Sequence, residues 1–582
     1  MRRRTFLHSL AAAGLTLLPR RTVAAGRLAA PICIYNNWSA YDELSDAVRL
    51  DEALAMRQFD ELLRLRSKGV HVDGYMLDAF WFDPKGGYRT FRTGDWAAGP
   101  DRWLERCRST GLTPGLWFGT NALVGIEPIP EWQDSLTAKK GSLSLFEGGF
   151  LTHFTASLDH WYSRGVRSFK FDFTDLNAAT PEAQRTLTVA EIVARNTSAF
   201  RAALVAFRTR HPDAQLLGYN GLGGDFDNTS YPFKKSVDTA WLDAFDSLYC
   251  GDPRPSDTPA MRFWRSLDIY SDQMARRYEQ NGMPLGSIDN CAFMMGKTGT
   301  CYYRGKAGWK GSLVLSLARG GRMNTYYGNL EQFTDDDAKW FARAQSMWLP
   351  LLAHGETHTF GPPSTSADPY GFMSSNSDGA LYTVVNPDQA VRTALLPVFD
   401  DWKRGRVLFT DAGHVPVLDD GELTMGPEQM AVVGCGSFDQ ERHDLGIQDD
   451  IVIPKSIDRL DVSAVDVPAA AQAAGRVRVP TGAILRIVTR QVRPDGVDAR
   501  TYAGGPPKGT KMGSVIVIGA TQNTRPLPIQ IEYDRMVWSG MSWGVGEVRV
   551  ADLTPGVPVD ITISSREKSP TRILIEAYAV KY

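Results

Sequence analysis

Ser168-Phe169-Lys170-Phe171-Asp172-Phe173 is the stretch on which the fold turns. It reads as a short buried strand that closes on a lysine and a carboxylate and runs at once into the loop Thr174-Asp175-Leu176-Asn177. Aromatic-rich strands belong in a core, and a core does not accept two ionisable groups without a use for them. In a barrel of alternating strands and helices, the C-terminal strand ends carry the chemistry. The competing reading is a Lys–Asp pair of purely structural kind.

Working outward, eight β-type runs can be counted between residues 30 and 355: Ile32–Asn37, Val72–Asp78, Pro114–Phe118, Ser168–Asp172, Gln215–Asn220, Ser247–Gly251, Met283–Ile288 and Arg322–Tyr326. Helical stretches lie between them. Leu54, Phe59, Leu62, Leu63 and Leu65 recur at helical spacing in Asp51–Ser67, and Val189–Arg210 carries a similar stripe. Thr334 before Asp335-Asp336-Asp337 and Ala338–Leu349 predicts a capped helix with an acidic first turn, in preference to a metal site. Eight such repeats predict a (β/α)8 TIM barrel over residues 26–355. Beyond it the pattern changes to strands and Gly/Asp/Pro turns. A small antiparallel β-domain is expected over 356–450, and a β-sandwich, for carbohydrate binding or bracing, over 451–582.

The first 25 residues stand apart. Arg2-Arg3-Arg4-Thr5-Phe6-Leu7, the apolar run Ala11–Leu18 and Val23-Ala24-Ala25 have the layout of an export signal of twin-arginine type, with a plain secretory signal as the alternative. The mature protein is therefore expected outside the cytoplasm, periplasmic or secreted. No other run is apolar and long enough to span a bilayer. A net charge of -2 over 582 residues offers no basic field for nucleic acid. The six cysteines are scattered, without a Cys-x-x-Cys pair or clustered histidines, so no metal and no cofactor is expected. Free buried thiols are the expectation, although an oxidising compartment would permit a Cys291–Cys301 loop disulfide.

A barrel gathers the residues that close its strands on one rim. Here they are Asn36-Asn37-Trp38, Asp78 with Trp81, Trp117, Lys170 with Asp172, Asn220 and Asp252, with Trp96 on a further loop. Carboxylates, one lysine and several indoles suit the hydroxyls and apolar faces of a sugar ring, and leave two carboxylates for glycoside chemistry. For Trp38, Trp81 and Trp117 core packing competes with stacking on sugar. Lys170 shares a strand face with Asp172 and would favour its anion, as a nucleophile requires. Asp252 lies in the less charged setting Tyr249-Cys250-Gly251-Asp252-Pro253, with Arg254 close by; Asp257 competes with it as proton donor.

Five motifs in order give a family resemblance. Leu77-Asp78-Ala79-Phe80-Trp81-Phe82, Gly94-Asp95-Trp96, Gly115-Leu116-Trp117-Phe118, Lys170-Phe171-Asp172 and Leu248-Tyr249-Cys250-Gly251-Asp252 resemble those of glycoside hydrolase family 36, the retaining α-galactosidases, and of the related family 27. The resemblance covers roughly residues 30–350 and the small β-domain. It implies Asp172 as nucleophile, Asp252 as acid/base, and Asp78, Trp96 and Lys170 as sugar-holding residues. It also implies a retaining exo-α-glycosidase acting on an oligo- or polysaccharide or a glycoconjugate, with its oligomeric state open. A transglycosidase, or a glycan-binding barrel without activity, remains the alternative. The chain departs from the pattern at Ala79, where the family has a second aspartate, at Leu248, where relatives often have arginine, and at Asn220-Gly221-Leu222-Gly223-Gly224. These departures point to a glycone other than plain galactose.

Overall fold

Eight parallel strands and the helices between them form the first layer of the molecule. The computed structural model describes residues 28–41, 48–219, 222, 238–249, 263–295, 305–362, 367–465, 472–492, 516–531, 543–565 and 572–582. The strands are β1 (Ile32–Asn36), β2 (Gly74–Leu77), β3 (Thr113–Gly119), β4 (Ser168–Asp172), β5 (Gln215–Gly218), β6 (Ser247–Leu248), β7 (Asp289–Met295) and β8 (Met323–Gly328). They pair in the order β6-β5-β4-β3-β2-β1-β8-β7. A parallel bridge from Leu248 to Ile288, just before β7, closes the sheet into a barrel. Every residue of β4 is buried, as a strand with barrel interior on one side and helices on the other must be.

The outer helices are α1 (Glu52–Ser67), α2 (Asp101–Thr110), α3 (Phe150–Ser163), α4 (Pro181–Thr186), α5 (Val189–Arg210), α6 (Phe263–Gln280), α7 (Trp309–Ala318) and α8 (Asp335–His354). Local chemistry sets their ends. The Asp51 carboxylate accepts from the Leu54 amide at the start of α1, and Thr188 with Glu191 forms a capping box on α5. The acidic triplet opens α8 as a cap. Thr334 and Asp337 make a reciprocal box, while Asp335 pairs with Arg64 and Lys68.

One strand lies elsewhere than the sequence suggests. Met283–Ile288 is not the seventh strand. Gly282, with φ 90, follows the end of α6, Pro284 comes next, and Leu285–Ser287 forms a 3-10 turn, with Met283, Leu285 and Ile288 buried in the core. The strand starts at Asp289. Its first residues, Asp289 and Asn290, are polar yet buried, so the apolar signature falls one segment early.

A six-stranded sheet packs behind α6, α7 and α8. Across it run Gly446–Val452, Gly405–Ala412, Met430–Gly436, Gly379–Val385, Tyr370–Ser375 and Glu356–Phe360. Its pairings are antiparallel except that Gly446–Val452 joins Gly405–Ala412 in parallel. A three-stranded sheet (Arg392–Leu395, Glu422–Met425, Val417–Asp419) covers its far side. The C-terminal part is two five-stranded sheets enclosing Leu485, Ile487, Ile561, Ile563 and Ala577, which is a β-sandwich. Buried ion pairs stitch these layers together. Arg265 of α6 reaches Asp411 at 2.6 Å, and Arg486 of the sandwich meets both Glu428 at 3.2 Å and Glu547 at 2.8 Å. No helix among the described residues is long and apolar enough to cross a membrane.

At the N-terminal rim of the barrel, Arg208 near the end of α5 grips Asp246 with two prongs, 2.8 and 2.6 Å long, and Asp246 also accepts the Leu216 amide of β5. Removing the cation leaves a buried carboxylate without its counter-ion. Arg208→Ala is expected to lose about 3–5 kcal/mol, read from the barrel transition in urea unfolding; a loss below about 1 kcal/mol, the value of a surface pair, would contradict it.

Candidate active site

The strand ends collect a polar cluster inside an aromatic wall. Asp78 follows β2 directly and is 1 % exposed. Its Oδ2 accepts from Lys170 Nζ at 2.8 Å and from Asn36 Nδ2 at 2.6 Å, and its Oδ1 accepts the Ala79 amide at 2.9 Å. Its own amide donates to Asn37 Oδ1 at 2.9 Å. The Lys170 ammonium also lies 4.1 Å from the centre of the Tyr219 ring, 5.5 Å from that of Tyr327 and 6.0 Å from that of Trp38. Desolvating an ammonium is costly, and an ion pair with aromatic faces around it offsets that cost. Strands one, two, four, five and eight thus meet at one cation.

Asp172 closes β4 beside this pair. Trp117 Nε1–H donates to its Oδ2 at 3.1 Å, and the Phe173 amide donates to its Oδ1 at 2.8 Å. Phe173 takes a left-handed backbone (φ 50), a conformation that costs a bulky residue free energy and that the aromatic packing against Trp117 holds in place. The carboxylate is 7 % exposed, with both oxygens oriented.

The remaining sequence-predicted positions separate. Trp38 and Trp117 adjoin the Lys170–Asp78–Asp172 group. Trp81 does not: it is fully buried against Phe91, Phe118 and Trp161, and its Nε1–H donates to the Trp117 carbonyl. It therefore supports Trp117 from behind instead of facing the mouth. Trp96 is likewise in the core, edge-on to Phe91. Asn220, Asp252, Arg254 and Asp257 lie outside the described residues, as do the first 25 residues, where an export signal is expected.

Three residues not singled out in the sequence complete the cluster. Asp289, at the start of β7, accepts from Tyr219 Oη at 2.5 Å and from Thr325 Oγ1 at 2.7 Å. Tyr327 Oη lies 2.6 Å from Tyr219 Oη. Burial pushes both tyrosine hydroxyls well up, so they stay protonated. With the Tyr219 hydrogen committed to Asp289, Tyr327 is the donor to Tyr219. Burial raises the Asp289 carboxyl to about 6, against the opposing pull of the Tyr219 and Thr325 hydroxyls and the Lys170 charge. A strand boundary placed at residue 289 would have exposed this aspartate as a polar residue inside the barrel.

No family model matches the chain, and no curated protein does either. Solved structures with partial overlap include an α-galactosidase from Lactobacillus brevis at 14% identity and TM-score 0.47, covering 70% of this chain and 55% of that one. A variant of the GH36 α-galactosidase of Geobacillus stearothermophilus in complex with raffinose gives 14% identity and TM-score 0.46, covering 69% and 55%. The trehalose-6-phosphate hydrolase of Bacillus licheniformis gives 11% identity and TM-score 0.47, covering 70% and 99%. The chain spans about half the length of the α-galactosidases it overlaps.

The raised Asp289 carboxyl has a consequence for stability. The folded chain holds that proton to about pH 6, whereas the unfolded chain releases it near the ordinary carboxylate value of 3.8. Its contribution is fully present below the unfolded value and is lost as pH rises towards 6. Two units correspond to about 3 kcal/mol. Asp289→Asn is expected to flatten the fall in unfolding free energy between roughly pH 4 and 6; a pH profile superimposable on that of the parent protein would refute the placement.

Proposed function

We propose that this chain is a retaining exo-α-glycosidase of α-galactosidase-like type, with Asp172 as its nucleophile. One observation carries the reading: a carboxylate with both oxygens oriented stands at the C-terminal end of β4, beside a buried Lys170–Asp78 pair and an indole. That rim is where barrel enzymes place their reacting groups. Asp78 and Lys170 are suited to sugar hydroxyls, and Trp38 and Trp117 to the apolar face of the ring.

In the reaction, Asp172 attacks the anomeric carbon while an acid delivers its proton to the departing glycosidic oxygen. The C–O bond breaks and a glycosyl ester forms on Asp172. The same second residue, now a base, takes a proton from water, whose oxygen attacks the anomeric carbon and frees the sugar with its configuration retained. We assign that role to Asp252 on the strength of the sequence motif, with Asp257 as its competitor. Ala79 withholds the second carboxylate of the family motif, which supports a glycone lacking, or modifying, the hydroxyl that carboxylate would bind. The leader-like N-terminus supports export.

Asp172→Ala is expected to lose about four orders of magnitude or more in kcat/KM on its best aryl α-glycoside. Azide should restore turnover and yield a β-glycosyl azide; substantial unassisted hydrolysis by this variant would eliminate Asp172 as nucleophile. Assays of Asp252→Asn and Asp257→Asn settle the second role. The true acid/base should lose about 10²–10⁴-fold and shift the basic limb of the pH profile, while the other variant keeps that limb. A panel of aryl α-glycosides of galactose, N-acetylgalactosamine, arabinopyranose, glucose and fucose identifies the glycone.

A further inference from the structure

The opposite, N-terminal rim of the barrel holds a second cluster. Cys33 is the second residue of β1, and His71 and Asp73 immediately precede β2. One ligand atom from each lies within 4.8 Å of the others. His71 Nε2 and Asp73 Oδ1 are 3.1 Å apart, close to the edge of a tetrahedron around a zinc-sized ion, roughly 3.3 Å for bonds near 2.0 Å. We propose that Cys33, His71 and Asp73 bind one divalent transition-metal ion of the zinc class, with solvent as the fourth ligand.

The supporting contacts are arranged for that purpose. Asp73 spends Oδ2 on the Cys33 amide at 2.8 Å, which fixes the carboxylate and leaves Oδ1 turned to His71. Gln345 of α8 clamps the His71 backbone on both sides, accepting its N–H at 2.7 Å and donating to its carbonyl at 2.8 Å. Gln345 Nε2 also donates to Tyr326 Oη at 2.9 Å, so the Tyr326 hydrogen is free to point at Cys33 Sγ, 3.4 Å away. Gln345 Nε2 itself approaches Sγ to 3.8 Å. The Tyr326 hydroxyl aimed at the sulfur stabilises a thiolate ligand, and outer partners of this sort orient metal ligands generally. The sulfur is buried, whereas about half of the His71 side chain is open to solvent, so an ion arrives from the histidine side. Cysteine, imidazole and carboxylate together favour zinc or cobalt over magnesium or calcium.

The test uses the full chain, stripped with a chelator and titrated with Co²⁺. One equivalent should give thiolate-to-cobalt charge-transfer absorption together with d–d bands of tetrahedral intensity, and Zn²⁺ should displace both. Cys33→Ser should abolish the charge-transfer band. His71→Ala and Asp73→Asn, both at less buried positions, should weaken binding about tenfold or more, and they carry the test if the Cys33→Ser chain fails to fold. Absence of a charge-transfer band at one equivalent, or a band of equal strength and affinity in the His71→Ala protein, overturns the proposal. Glycosidase activity is not read at any step, so the outcome is independent of the function assigned to the opposite rim.

Discussion

A single ammonium group organises the mouth of this barrel. Lys170 is only 4 % exposed, and a charge so placed is tolerated only where its surroundings are completely specified. Asp78 supplies the counter-charge, the Asn36 side chain, the Ala79 amide and the Asn37 side-chain oxygen hold Asp78 in position, and Tyr219 and Tyr327 present aromatic faces to the cation. Because these partners come from four strands other than β4, the ion pair fixes relative strand positions as much as it fills a site. Asp172, two residues along the same strand face as Lys170, inherits that fixed geometry.

The barrel was legible because each of its units announces itself locally. β4 and α5 have the limits that the residues suggest, and Thr334 caps α8 as its sequence implies. The seventh strand was not legible, for a physical reason. Asp289 and Asn290 are buried polar residues satisfied by Tyr219, Thr325 and the Gly321 carbonyl, so the start of the strand lacks the apolar alternation that marks one. The apolar residues preceding them belong to a turn.

The site divides along the same line. Position at a strand end sufficed to bring Asp78, Lys170, Asp172, Trp117 and Trp38 together. Trp81, placed after β2, and Trp96, placed on its loop, lie instead in the aromatic core, since an indole packs into a core as readily as it faces a ligand, and sequence carries no mark of which it does. Tyr219, Tyr327 and Asp289 could not be grouped from spacing at all. Their association depends on closure of the cylinder, which brings β5 opposite β7 and β8.

The link between α6 and the sheet behind it bears on how the chain can be divided. Arg265 is fully buried, and its Nη2 meets Asp411, which also accepts from the Met430 amide and from Gln448. Asp272 on the same helix is shared between Arg319 of the barrel and Tyr370 of the sheet. A truncation after residue 355 would take Asp411 from the Arg265 guanidinium and Tyr370 from Asp272, which keeps only Arg319, at a newly wetted apolar surface. The boundary between barrel and sheet is thus a change of architecture and not a seam, and any shortened version of this chain has to keep both to satisfy the buried charges of α6.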